Sequence, residues 1–297
     1  MKTNLQKTVT RHILPTAYCL LLTACCLLLT ACGTAEQPTK EEAKGHLFII
    51  GGGSRTPQLM ERFVELAGGA GAKILVVPFA SEDAEDTGIY NAEELRNLGA
   101  VTDYVFFKKG EADLESNLQK LDGVTGIFFS GGDQSRLTAM LLGTNFLERI
   151  KEIYCEGGVV GGTSAGAAVM STIMITGDEA LNESSNPFPF IKKGNIITTE
   201  GFGFIDFAII DQHFIQRKRE NRLISLVIEH NLPGIGIDES TAVIFGGGRT
   251  FEVFGHRSVM VFEPHFATPP RSDEDGNLSA DAISLRILLS GDRYTIK

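Results

Sequence analysis

Short apolar runs rich in β-branched residues recur between residues 46 and 245, and most of them end at glycine or at a polar residue. Helical patterns separate many of these runs, for example at residues 57–67, 92–98 and 134–142. Strands that alternate with helices are typical of right-handed βαβ units. The sequence therefore predicts a three-layer α/β fold, in which helices cover both faces of a mainly parallel central sheet. We expect a single domain over residues 46–297.

One strand-to-helix junction carries a catalytic pattern. Residues 162–166 read GTSAG and fit the nucleophile-elbow pattern G-x-S-x-G, with an apolar strand before them and an Ala-rich helix after them. Glycines allow the sharp turn that exposes the Ser164 hydroxyl, and the amide of Ala165 can then face a developing oxyanion. The alternative is an ordinary junction whose serine caps the helix.

Other predicted strands also end in polar or glycine-rich sequence. Ligands of open α/β sheets collect at the carboxyl ends of the strands. Five such ends together predict the floor of an active site: residues 51–54, 130–134, 164, 211–213 and 238–240.

A catalytic serine needs a base and an acid that orients the base. Of the six histidines, His213 is the candidate base because it follows the apolar run at residues 207–210. The alternative is a hydrogen-bonded histidine of the core. Glu239 is the candidate acid, with Asp238 and Asp211 as competitors. No histidine or cysteine shows metal-ligand spacing, so we expect neither a metal nor another cofactor.

Four cations follow His213 within residues 217–222, namely Arg217, Lys218, Arg219 and Arg222. They fall at the expected start of a helix over about residues 218–230, where cations oppose the helix dipole. This placement favours an anionic substrate group. Salt bridges to the protein's own acids are the alternative.

The N-terminus indicates export. Basic residues precede the apolar run at residues 13–30, and no acidic residue occurs before residue 32. Residues 29–32 read LTAC, which resembles the lipobox of bacterial lipoproteins, so we predict a signal peptide over residues 1–31, lipidation of Cys32 and a tether to residue 45. The rivals are cleavage before Cys25 and an uncleaved transmembrane anchor. In each case the domain lies outside the cytoplasm, attached to a bacterial membrane.

Charge and cysteine content limit the possible partners. The formal net charge is −10, which argues against nucleic acid. Apart from Cys32, only Cys155 would remain after processing, so we expect no internal disulfide and a buried Cys155. Residues 172–204 break the strand–helix rhythm and predict a long loop or lid.

Several motifs together resemble the cyanophycinase family of serine peptidases, which is related in fold to peptidase E and to class I glutamine amidotransferases. They are GGDQ at residues 131–134, GGTSAG at 161–166, DQHF at 211–214 with its arginines, and GIGIDEST at 234–241. The resemblance spans about residues 46–297. It implies Ser164 as nucleophile, His213 as general base and Glu239 as the third member of the triad.

The same resemblance implies a substrate and its site. The family hydrolyses cyanophycin, a poly-aspartate with arginine on each side-chain carboxyl, and releases β-Asp-Arg dipeptides. The implied substrate-binding residues are Gln134, Asp211, Gln212, Arg217, Arg219 and Arg222, and the amides near Gly132 and Ala165 would hold the oxyanion. Related enzymes are dimeric, which implies a homodimer.

Two other functions stay open on the sequence alone. A peptidase-E-like aspartyl dipeptidase would share the triad but would not need three arginines after His213. A non-catalytic binding lipoprotein would need no intact Ser–His–Glu set. One departure from the family is the turn at residues 51–55 (GGGSR), where some cyanophycinases carry an acidic residue. This departure bears on substrate choice more than on hydrolytic chemistry.

Overall fold

The computed structural model describes residues 43–181 and 188–297. The predicted signal peptide, Cys32 and nearly all of the tether lie outside these residues. The helices of the described part are α1 (Pro57–Leu66), α2 (Ala84–Asn97), α3 (Glu115–Leu118), α4 (Gln134–Leu141), α5 (Asn145–Glu156), α6 (Ala165–Ala168) and α7 (Glu220–His230). Within this part, none of the helices has the length and apolarity that a membrane span requires.

An eight-stranded sheet forms the centre of the fold, in the order β16-β11-β10-β1-β5-β4-β2-β3. Five of its strands run parallel: β1 (His46–Ile50), β2 (Lys73–Val77), β3 (Val101–Tyr104), β4 (Gly126–Phe129) and β5 (Val159–Thr163). Three antiparallel strands extend it beyond β1: β10 (Thr241–Phe245), β11 (Thr250–Gly255) and β16 (Arg293–Thr295). The predicted mainly parallel α/β sheet is confirmed.

Side chains of β1 show why helices cover both faces of this sheet. Leu47 and Ile49 enter one core cluster, which includes buried residues of α4 and α5. Phe48 and Ile50 point the other way, into a second cluster with buried residues of α1 and α2. Successive side chains of a strand alternate between its faces, so a strand that is apolar throughout must be buried on both sides. The result is the expected three-layer arrangement.

A second, four-stranded sheet differs from the expectation that all parallel strands share one sheet. It has the order β15-β12-β9-β8 and consists of β8 (Ile209–Gln212), β9 (Gly234–Ile237), β12 (Val259–Pro264) and β15 (Ile283–Leu288). Strand β8 runs parallel to β9, whereas β12 and β15 are antiparallel to their neighbours. Because β5 and β10 already occupy both edges of β1, strands β8 and β9 pair with each other beside the central sheet.

Two further expectations were wrong. Residues 172–204 contain the antiparallel pair β6 (Ile173–Glu179) and β7 (Ile196–Glu200) in place of an uninterrupted loop. The rest of the described strands are the short pair β13 (Arg271–Ser272) and β14 (Leu278–Ser279). Cys155 is exposed, because the buried stripe of α5 consists of Phe146, Leu147, Ile150 and Ile153 and leaves position 155 on the outer face.

Candidate active site

Ser164 lies at a strained turn between β5 and α6. Its backbone has φ 54° and ψ −106°, outside the conformations that residues with side chains ordinarily adopt. A side chain at Gly162 would overlap the backbone of Gly166, so the tight turn requires glycine there. The Ser164 amide donates to Ile50 O at 3.1 Å, which ties the turn to the end of β1. The Ser164 side chain makes no helix-capping hydrogen bond, in contrast to the helix-cap alternative.

The hydroxyl of Ser164 belongs to a continuous hydrogen-bonded triad. His213 Nε2 lies 2.9 Å from Ser164 Oγ, and His213 Nδ1 lies 2.7 Å from Glu239 Oε1. A carboxylate can only accept, so Nδ1 carries a proton toward Glu239 and Nε2 is left to accept the proton of the serine hydroxyl. The competing acids Asp211 and Asp238 make other contacts. The geometry is that of a nucleophile, a base and an orienting acid.

The two sheets meet at this triad. Ser164 follows β5 of the central sheet, whereas His213 and Glu239 follow β8 and β9 of the second sheet. The glycine-rich turn after β1 joins them: the His213 amide donates to Gly51 O at 2.6 Å, and the Ser240 amide donates to Gly52 O at 2.8 Å. These backbone contacts hold the triad residues of the two sheets next to one another.

Glycine is required in this turn for close approach. Gly52 has φ 100°, and a side chain there would overlap the His213 imidazole. At Gly53 a Cβ would lie 2.7 Å from the Cβ of Glu239. The sequence identified residues 51–54 only as a polar strand end. The structure shows that they form the backbone wall against which the base and the acid pack.

The surroundings of His213 favour its neutral form. Burial lowers the pKa of His213 below its ordinary value of 6.5, and the charges of Arg217 and Arg219 act in the same direction. The hydrogen bond to Glu239 opposes this shift. An imidazole with a lowered pKa is uncharged near neutral pH, so its Nε2 is free to accept a proton, as a general base must be.

Two backbone turns flank the serine where an oxyanion would form. A Cβ placed on Gly131 would lie 3.5 Å from the Cβ of Ser164, so the turn at Gly131 and Gly132 lies beside the nucleophile. Gly132 has φ 139°, and a side chain there would overlap Ala80 O. Ala165 is the first residue of α6, and the first amides of a helix have no partner within the helix. These positions suit the predicted oxyanion hole.

Two of the predicted substrate-binding residues pair with each other instead. Arg222 Nε donates to Asp211 Oδ2 at 2.7 Å, and Arg222 Nη2 donates to Asp211 Oδ1. Both side chains are buried, and the Arg222 guanidinium lies over the Phe188 ring at 4.7 Å. The family resemblance implied that Asp211 and Arg222 both bind substrate. This arrangement does not support direct contact with a substrate, because both side chains are buried and Asp211 already accepts two hydrogen bonds from Arg222.

Two more of these residues form internal contacts beside the triad. Arg219 Nη1 donates to Gln212 O at 2.7 Å and to Gln212 Oε1 at 2.8 Å. Burial lowers the pKa of Arg219 to about 10, and the charges of Arg222 and Arg217 contribute to the shift. Because this pKa is still above neutral pH, the guanidinium stays charged at pH 7. Arg217 and Arg219 thus place positive charge near the base, while Glu239 contacts its Nδ1.

The remaining predicted contacts differ in exposure. Gln134 is buried, and its Nε2 donates to Ile175 O at 2.8 Å and to Thr176 O at 2.5 Å. Gln134 thus ties the start of α4 to β6. Arg217 is exposed and is close enough to His213 to lower its pKa. Arg217 is therefore the member of the set that is open to a substrate in this structure.

Within residues 43–181 and 188–297, no group of three or more His, Cys, Asp or Glu side chains is arranged to hold a metal ion.

Comparison with known proteins agrees with this geometry. The model of peptidase family S51 matches residues 47–253. A cyanophycinase of Synechococcus elongatus is 34% identical over 264 residues, covering 86% of this chain and 80% of its own length. A cyanophycinase of Geminocystis herdmanii is 33% identical over 271 residues, covering 87% and 96%.

Solved structures support the fold. A peptidase from an acI-B1 actinobacterium superposes with a TM-score of 0.64 at 23% identity, covering 86% of this chain and 98% of its own. A putative peptidase E protein from Listeria monocytogenes gives a TM-score of 0.51 at 16% identity, covering 72% and 100%. The family model covers more than half of the chain, and the cyanophycinases cover most of it at over 30% identity. The chain is therefore a serine-type peptidase that belongs to peptidase family S51.

Proposed function

We propose that this protein is an extracytoplasmic cyanophycinase, which hydrolyses the polymer to β-Asp-Arg dipeptides through an acyl-enzyme on Ser164. The observation that carries the proposal is the complete Ser164–His213–Glu239 hydrogen-bonded row. The relatives that bear the name cyanophycinase support the choice of substrate.

Acylation begins at the hydroxyl of Ser164. As Oγ attacks the carbonyl carbon of a backbone peptide bond, the hydroxyl proton passes to His213 Nε2, and Glu239 stabilises the imidazolium through Nδ1. The carbonyl electrons move onto oxygen, where the amides of Gly132 and Ala165 stabilise the negative charge. Collapse of the tetrahedral intermediate breaks the C–N bond, and His213 gives its proton to the leaving amine.

Deacylation repeats these steps with water. His213 Nε2 takes a proton from water, the hydroxide attacks the ester carbonyl, and Ser164 Oγ leaves with the proton that His213 returns. The base must be neutral at the start of both half-reactions. The lowered pKa of His213 supports this requirement.

The charges around the triad suit such a substrate. Each branch of cyanophycin ends in an arginine, with a free α-carboxylate and a guanidinium group. The exposed Arg217 is available to pair with the carboxylate, and an arginine can donate two parallel hydrogen bonds to one carboxylate. In the buried layer behind it, Arg219 and the Asp211–Arg222 pair support the residues that flank the base.

Replacement of the nucleophile tests the proposal. The purified protein without residues 1–32 should clear a suspension of cyanophycin and yield the dipeptide. The Ser164→Ala variant should lose this activity by roughly 10⁴-fold or more while its thermal unfolding stays near that of the parent. Persistent activity in Ser164→Ala would refute the serine mechanism. Cleavage of Asp-X dipeptides without cleavage of the polymer would identify a peptidase-E-like enzyme instead.

We also propose that the mature protein is held at a bacterial membrane through a lipid on Cys32 and is a homodimer. The basic and apolar leader ending in LTAC supports the anchor, and the resemblance to dimeric enzymes supports the dimer. In an expressing bacterium, the parent should sediment with membranes, whereas Cys32→Ser should keep its leader and fail to incorporate labelled fatty acid. Equal labelling of the two proteins would exclude Cys32.

Light scattering of the soluble domain should give twice the chain mass.

A further inference from the structure

A fourth arginine reaches the rim of the site from a part of the chain outside the residues matched by the family model. Arg257 lies in the turn between β11 and β12, whereas the family match ends at residue 253. Backbone contacts hold this turn against the residues around Glu239. The Asp238 amide donates to Ser258 O at 3.3 Å, and the His256 amide donates to Ser240 O at 3.0 Å.

The Arg257 side chain is fixed at one nitrogen. Its Nη1 donates to Gln216 Oε1 at 2.7 Å and to Asp238 Oδ2 at 3.3 Å. Asp238 is itself buried and accepts the Gln216 amide at 3.0 Å. These contacts orient the guanidinium beside the turn that begins at His213 and includes Gln216.

The other donors of Arg257 remain open. A guanidinium has five N–H groups, and only those on Nη1 are used here. Within the described ranges, Nε and Nη2 make no hydrogen bond, and the side chain is 44% exposed. An arginine that served only to brace the turn would need no such exposed edge. This edge has the flat, two-donor shape that matches a carboxylate.

The contacts of Arg257 place it next to the neighbours of Arg217 and of the triad acid, because Gln216 precedes Arg217 and Asp238 precedes Glu239. Arg217 lies close enough to His213 to lower its pKa, and Gln216 joins the neighbouring position to Arg257. Arg257 therefore lies beside the turn that carries Arg217. A substrate with a single carboxylate can use Arg217, whereas a substrate with regularly spaced carboxylates can use both arginines.

We propose that Arg257 binds a branch carboxylate of the polymer at least one unit away from the bond that is cut. Arg257 is then a specificity residue that favours long substrates over short ones. This inference rests on the proposed cyanophycinase activity.

Kinetics on two substrate lengths test it. The Arg257→Gln variant should raise KM for long cyanophycin segments by roughly tenfold, since hydrogen bonds between charged groups are worth more than neutral ones. The kcat on these segments should stay within about twofold. A segment of two β-Asp-Arg units, which has one scissile backbone bond, should be cleaved with unchanged kcat and KM. Arg257→Lys should recover part of the affinity but lack the two-donor geometry.

Arg293 supplies the matched control. It is also an exposed arginine with one carboxylate partner, Glu252 at 3.0 Å, but it lies on β16, opposite the far part of β11. Arg293→Gln should leave both substrates unaffected. In the Ser164→Ala background, Arg257→Gln should also weaken sedimentation of the enzyme with insoluble polymer, relative to Arg293→Gln.

The possible results separate the two proposals. A wild-type enzyme that does not cleave the polymer would refute the proposed function. Cleavage by wild type with identical behaviour of Arg257→Gln and Arg293→Gln would overturn the role of Arg257 alone. Equal loss of kcat on long and short substrates, with a lower unfolding temperature, would also overturn it, because that pattern indicates a structural role in the turn.

Discussion

Ser164 and His213 share an uncommon backbone feature. Both have positive φ, at 54° and 48°, and so do Lys218 and Ser240 in the turns beside them. For residues with a side chain this conformation costs roughly 1–2 kcal/mol, so it persists only where surrounding contacts hold it. Backbone hydrogen bonds from both sheets supply those contacts. The strain identifies the same turns that carry the triad.

The lowered pKa of His213 makes a prediction for the acid limb of the pH profile. The base must be neutral, and a pKa below 6.5 keeps it neutral to lower pH than a free imidazole. We expect kcat/KM to fall toward acid pH with a slope of one proton and a midpoint below 6.5. Measurement over pH 4–8 on a substrate of constant charge checks this. A midpoint above 6.5 would contradict the assigned environment.

The sequence put forward Ser164 and His213 as candidates from local patterns, but it left Asp238 and Asp211 as competitors of Glu239, which the family resemblance implied as the third member. It was not sufficient to separate Arg217 from Arg222. Both belong to one cationic cluster, yet one is exposed and the other is buried over Phe188. Burial depends on where α7 packs, and local sequence does not record that. The role of Gly52 could not be predicted from a local sequence pattern either, because it depends on the approach of the His213 imidazole from the second sheet.

Among the elements, β8 and α7 are joined by the Asp211–Arg222 pair. Asp211 lies in β8 and Arg222 lies in the first turn of α7. The sequence placed Arg217 and Lys218 at the start of this helix. The helix instead begins at Glu220, so both residues precede it. A buried pair of this kind fixes how the helix lies on the strand that leads to His213.

Breaking this pair should destabilise the fold strongly. Arg222→Met leaves an uncompensated buried carboxylate and should lower the free energy of unfolding by about 3–5 kcal/mol, measured by urea denaturation. The double variant Asp211→Leu with Arg222→Met should regain much of this loss. The exposed Arg293→Met serves as the control and should cost about 1 kcal/mol or less. Equal effects at Arg222 and Arg293 would contradict a buried pair.

Most strands of the central sheet could be predicted because they are apolar runs that end at glycine or at a polar residue. Helix α5 was not predicted, although Thr144 caps it by accepting the Leu147 amide at 3.2 Å. Its many charged residues obscured the buried stripe. The assignment of β8 and β9 to a second sheet depends on competition for the edges of β1, which is a long-range effect.

In the molecule as a whole, the site lies at the junction of two sheets. The central sheet provides Ser164, and the second sheet provides His213 and Glu239. Neither sheet alone contains a nucleophile with its base. The C-terminal strand β12 pairs with β9 along its length, so residues beyond the family match complete the sheet that supports the acid.

This arrangement also has a consequence in time. The base follows the nucleophile by 49 residues along the chain, and the acid follows the base by 26 more. The backbone contacts that brace the acid come later still, from residues 256 and 258. A ribosome thus finishes most of the polypeptide before any hydrolytic centre can assemble. A nascent chain shorter than 258 residues lacks part of the triad or of the backbone contacts that brace its acid.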